Sequence, residues 1–68
     1  MKVKYFEDTD TAHVELLDKP AVETREISEN IYIDIDAQGN LVSMTIEHAK
    51  EKAGLWEFSY QEISRKIA

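Results

Sequence analysis

The sequence predicts an α+β domain: an antiparallel β-meander of about five strands, with a short C-terminal helix covering one face. Three observations carry this expectation. Apolar and polar residues alternate with period two in several short segments, most clearly at Ile31, Ile33 and Ile35 and again at Val42, Met44 and Ile46. The segments are separated by brief polar or proline-containing breaks, and short connections favour antiparallel neighbours. Helix-forming residues and a capping pattern appear only after His48.

The central hairpin, Asn30 to His48, is the strongest of these signals. Asp36-Ala37-Gln38-Gly39-Asn40 places a turn residue at each end and one glycine inside, where positive φ closes a type I turn with a bulge. Upstream, Lys2 to Phe6 sets Val3 and Tyr5 on one face and Lys2 and Lys4 on the other, as a first strand. Glu7-Asp8-Thr9-Asp10 turns the chain, and Ala12, Val14 and Leu16 alternate with His13 and Glu15 in a second strand. Asp18-Lys19-Pro20 breaks the pattern, because proline lacks the donor a central ladder needs. A third strand spans Ala21 to Ser28, where Val22 and Ile27 fall on opposite parities, the mark of a bulge or an edge.

After the hairpin, Ala49-Lys50-Glu51-Lys52-Ala53 reads as one or two helical turns ending at Gly54. Ser59 and Glu62 match a capping box, and Phe58 and Ile63 a hydrophobic staple, so a helix is expected from Tyr60. Tyr60, Ile63 and Ile67 would share one face, and so short a helix must pack that face on something, the open sheet being the obvious surface.

Composition bounds the function. In 68 residues there is room for a single domain, 1–68, with marginal burial of its own. With no cysteine, neither a disulfide frame nor a thiolate zinc site is available, which leaves self-association as the remaining source of stability. Fourteen acidic against eight basic residues give a formal charge of -6, which opposes direct nucleic-acid binding. No segment has the roughly 20 apolar residues of a membrane span, and no signal-peptide pattern precedes the first strand, so no membrane contact and a cytoplasmic address are expected.

Candidate chemistry is sparse. Tyr32, Asp34, Asp36, Thr45 and Glu47 gather on the polar side of the hairpin, a candidate polar-face site for a small molecule or a metal. Exposed carboxylates are the ordinary state of such residues, and the solvated-face reading outweighs it. His13 and His48 have no zinc-binding spacing, and none of Ser28, Ser43, Ser59 and Ser64 lies in a nucleophile elbow or beside a histidine. Gly39 and Gly54 open no phosphate loop. Catalytic, cofactor-binding and metal-ligating residues are therefore expected to be none, and no cofactor is implied. Trp56, Phe58, Tyr60, Ile63 and Ile67 form the candidate interaction surface, either as cover for the sheet and self-association or as an arm for another chain.

Several segments taken together carry a family resemblance. The tyrosine-ended first strand, Asp10-Thr11-Ala12-His13-Val14-Glu15-Leu16, Val22-Glu23-Thr24-Arg25-Glu26-Ile27 and Asp34-Ile35-Asp36-Ala37-Gln38-Gly39-Asn40-Leu41-Val42 resemble the YuzE-like family of small bacterial proteins, domain of unknown function 2283. The most specific piece is Glu23-Thr24-Arg25-Glu26 ahead of the aspartate-glycine hairpin. Thr11, His13, Val14 and Ser43-Met44 depart from the family's usual residues. The resemblance covers 2–49 and leaves the tail, 50–68, uninherited. It implies no activity and no catalytic residues, while some members resemble antitoxins encoded beside small ribonuclease-like toxins. The expected function is thus a non-enzymatic protein-interaction module, a homo-oligomer with a dimer favoured, and an antitoxin-like partner of a small basic protein. The alternative is a small-molecule or metal-binding protein, or an enzyme, working on the polar sheet face.

Overall fold

The computed structural model describes residues 1–64 of the chain. Five strands form one sheet in which every pairing is antiparallel: β1 (Lys2–Phe6), β2 (Thr11–Glu15), β3 (Glu23–Ser28), β4 (Ile31–Ile35) and β5 (Leu41–Glu47). One helix, α1 (Ala49–Ala53), follows β5. The α+β antiparallel architecture is the expected one.

Strand order is β1-β2-β5-β4-β3. The meander runs through β3, β4 and β5, and the β1–β2 hairpin is laid against the free side of β5. The short-connection rule misses this step, because β2 and β3 are sequential and sit apart. Residues 16–22 carry the chain around the turn end of the central hairpin, held there by backbone bonds. Leu16 and Leu17 N–H both donate to Val42 O, at 2.8 and 3.1 Å, and Val22 N–H donates to Ile35 O at 2.9 Å. The register of β4 on β5 shifts between Asp34 and Ile35, and Val42 lies in that irregular stretch, so its carbonyl is available to the crossing segment.

The local predictions largely hold. Gly39 has φ +85°, inside a turn closed by Gly39 N–H to Asp36 O and Asp36 N–H to Asn40 O. β3 is an edge strand with a register shift between Glu26 and Ser28, which is the bulge that the parity mismatch at Ile27 predicts. Helix α1 ends at Gly54 with φ +66°. Its N-terminus has no local side-chain cap: His48 stands there at φ +53° and makes none. Asp10 supplies the missing acceptors from the β1–β2 turn. Its backbone oxygen takes Ala49 N–H at 2.8 Å, and its carboxylate takes Lys50 N–H and Glu51 N–H at 3.0 and 3.3 Å.

The tail departs from expectation. Residues 59–64 are not helical, and Ile67 lies outside the described residues. A capping box contributes only about 1 kcal/mol, too little to hold a short helix when Tyr60 and Ile63 of its apolar face stay exposed. Among the described residues the tail leaves Ile31, Ile33 and Ile46 only half-buried. It runs past Val3 and Tyr5 at the sheet margin, with Lys50 stacked between the rings of Tyr5 and Trp56 at 4.8 and 5.1 Å.

Candidate functional site

Register sorts the side chains into rows that cross the sheet. On one face, Lys2, Glu15, Ser43, Asp34 and Thr24 stand side by side, next to the row Lys4, His13, Thr45, Tyr32 and Glu26. The opposite face carries Val3, Val14, Met44 and Ile33 in one row and Tyr5, Ala12, Ile46 and Ile31 in the next. Period-two alternation in the sequence is the direct cause of this separation.

The polar face is a set of mutually satisfied groups. Asp34 accepts from Thr24 Oγ1 at 2.6 Å and from Ser43 Oγ at 2.7 Å, and these two bonds hold its carboxyl below the usual range. His13 Nδ1 lies 3.2 Å from Thr45 Oγ1, and Lys4 pairs with Glu15 at 2.9 Å. The charges of Glu47 and Glu26 push the Tyr32 phenol upward. Among the described residues no buried side-chain polar atom lacks a partner.

Of the predicted polar-face residues, Tyr32, Asp34, Thr45 and Glu47 share this surface, and Asp36 is claimed by the turn. Its carboxylate accepts Asn40 N–H at 2.8 Å and Gln38 N–H at 3.0 Å, so it is a buried structural acceptor and its carboxyl is lowered accordingly. The alternation that placed Asp36 beside Asp34 ends where the register shifts. Sequence reasoning missed Thr24 and Ser43 as the partners of Asp34, since strand pairing alone brings them together. It also missed an open cleft of about 580 Å³ on this side, lined by Leu16, Leu17 and Lys19 of the crossing segment and by His13, Asp34 and Ser43.

A second polar cluster lies at the start of α1. Ligand atoms of Asp10, His48 and Glu51 lie within 4.8 Å of one another, with His48 Nδ1 3.2 Å from Glu51 Oε2. Asp10 already serves Tyr5, Lys50 and Glu51 as an acceptor, so the grouping is explained as a helix cap with an adjoining His48–Glu51 hydrogen bond.

The apolar side is the open one. No large side chain of the described residues is fully buried, and the buried apolar set is Ala12, Ile35, Val42 and Ala49. Ile31, Ile33, Met44 and Ile46 are only half-buried. Of the candidate interaction residues, Trp56 is 76% exposed, Phe58 52%, Tyr60 72% and Ile63 82%. Among the described residues the tail therefore meets the apolar face only near Val3 and Tyr5, and both surfaces keep exposed apolar area. No helix among the described residues is long and apolar enough to cross a membrane.

Residues 2–50 match the model of a family described as protein of unknown function (DUF2283). No match was found to a curated protein or to a solved structure.

Proposed function

For a chain that belongs to the DUF2283 family, we propose a non-enzymatic role as a protein-interaction module that works as a homo-oligomer, with a dimer favoured, and that pairs with a small basic protein in the manner of an antitoxin. The observation that carries this reading is the pair of incompletely buried apolar surfaces, the half-buried inner sheet rows and the exposed aromatic tail. Completing the burial of each half-buried aliphatic side chain contributes about 1 kcal/mol, and several such residues on one face amount to an interface core. A domain this small gains most from such a surface, because its own burial barely exceeds the entropy lost on folding. The charge of -6 complements a basic partner and opposes nucleic acid. A cytoplasmic address belongs to the same reading.

Sedimentation of the full-length protein across micromolar concentrations tests it, with Met44→Lys at the middle of the apolar face as the control. Assembly should be present in the parent and lost in the variant, with the sheet signal in circular dichroism retained. A full-length monomer that also forms no complex with a small basic partner would sink the proposal.

The polar-face cleft favours a second reading, a small-molecule site with His13, Asp34 and Ser43 along its floor. A thermal-shift screen of small polar metabolites tests it; stabilisation abolished by Ser43→Ala would support this reading over the first.

A further inference from the structure

Residues 56–60, Trp-Glu-Phe-Ser-Tyr, alternate aromatic and polar with period two, the pattern of a strand with one apolar face. Among the described residues, 57–64 make no backbone hydrogen bond with one another or with the sheet. The sheet has two edges to offer such a segment. β3 is interrupted by its bulge and carries Glu26 on the polar face, which would repel Glu57, and the Glu23–Arg25 ion pair on the other, where the aromatics would have to lie. β1 is free of register shifts and carries Lys2 and Lys4 on the polar face and Val3 and Tyr5 on the apolar one.

We propose that residues 56–60 add as a sixth, antiparallel strand to the β1 edge of a second copy of this chain, each copy giving its arm to the other. The inference rests on the interaction reading above and specifies its contact. In the register that satisfies both faces, Trp56 lies opposite Tyr5, Glu57 opposite Lys4, Phe58 opposite Val3 and Ser59 opposite Lys2. Cross-strand aromatic, aromatic–aliphatic and opposite-charge pairs are then made at once. A one-residue slip would put the aromatics among the lysines.

The second copy is the occupant because the chain's own sheet leaves the arm open. In its own chain the segment passes Val3 and Tyr5 across a gap of about 270 Å³, with Trp56 and Tyr60 more than two-thirds exposed. Three aromatics of 150–250 Å² each, at their observed exposure, offer about 400 Å² per arm. Two arms and the two surfaces that receive them bury at most about 1,600 Å² in total, an upper bound that reaches the size of a standard stable interface.

The chain has no native cysteine, so engineered pairs report the register directly. Lys2→Cys with Ser59→Cys should give a covalent dimer on oxidation, because these residues face each other across the exchanged strand. Sedimentation should show Glu57→Lys and Lys4→Glu each weakening the dimer roughly tenfold, two such contacts acting per dimer, with the charge-swapped double variant restored. Trp56→Ala with Phe58→Ala should be monomeric with an intact sheet, since both side chains are exposed. An intrachain disulfide in a monomer overturns the exchange. A dimer that survives the double alanine variant without an interchain disulfide also overturns it, and leaves the apolar-face reading standing. A full-length monomer overturns the exchange and the homo-oligomer part of the reading above, and one that also binds no small basic partner overturns that reading whole.

Discussion

The Tyr5 hydroxyl donates to Asp10 Oδ1 at 2.7 Å, tying the apolar side of β1 to the carboxylate that caps α1. The same oxygen accepts Lys50 N–H, so strand, turn and helix meet at one acceptor. The bond to Asp10 pushes the Tyr5 phenol up to about 12, while the Lys50 amide, followed by the Tyr5 hydroxyl, holds the Asp10 carboxyl low.

Both shifts make stability depend on pH, with opposite signs. Tyr5 holds its proton more tightly when folded, so its contribution is full below the ordinary phenol value of 10.0 and is lost as pH rises towards about 12. Asp10 holds its proton less tightly when folded, so its contribution is full above the ordinary 3.8 and is lost as pH falls through the lowered value. Tyr5→Phe should remove the latest-titrating phenolate from the absorbance titration and flatten the alkaline loss of stability between pH 10 and 12. An unchanged late phenolate would reassign the bond.

At the central turn, Gly39 has φ +85° and nothing within 4 Å of where a Cβ would lie. Any penalty at this position is conformational, with no steric contact to add to it. Gly39→Val should lower stability by about 1–3 kcal/mol, and Gly39→Asn by distinctly less, because asparagine tolerates the left-handed region. Denaturant midpoints measure both, and equal midpoints for valine and glycine would remove the turn assignment.

Thr24 and Ser43 hold Asp34 from either side, through β3 and β5. Thr24→Ala and Ser43→Ala should each raise the Asp34 carboxyl towards its ordinary 3.8, with Thr24 the larger effect. Carboxyl-carbon NMR titration resolves the site. A carboxyl that stays low in the double variant would point to charge, and not these hydroxyls, as the cause.

Neither acidic grouping should take a metal tightly. Asp34 and Asp36 are committed to hydroxyl and amide donors, and Asp10 to a helix cap. Calorimetric titration with Mg²⁺, Ca²⁺, Mn²⁺ and Zn²⁺ should give no stoichiometric binding at micromolar affinity. A one-site isotherm lost on His48→Ala would locate a site at Asp10, His48 and Glu51, and one lost on Asp34→Asn would restore the polar-face site.

Local order was legible wherever neighbours in sequence are also neighbours in energy. Alternation at Ile31–Ile35 and Val42–Ile46, with one glycine between them, specifies a hairpin because the side-chain period and the turn are both local. Ala49–Ala53 before Gly54 specifies a short helix for the same reason, and the parity conflict of Val22 and Ile27 marks the bulged edge.

Contacts distant in sequence decided the rest. β2 lies beside β5 because the carbonyls of Val42 and Ile35 take the amides of the crossing segment, and no residue near Pro20 announces those acceptors. Asp10 caps a helix 40 residues away, so no capping pattern precedes Ala49. Asp34 and Asp36 look alike in sequence, yet the register shift between Asp34 and Ile35 sends one to the sheet surface and the other into the turn. At Tyr60 a local capping pattern competed with period-two alternation, and neither yields a regular element without a surface to bury its apolar side chains. The tertiary structure leaves those side chains exposed because the arm's course meets the sheet's apolar rows only at Val3 and Tyr5, on the β1 margin.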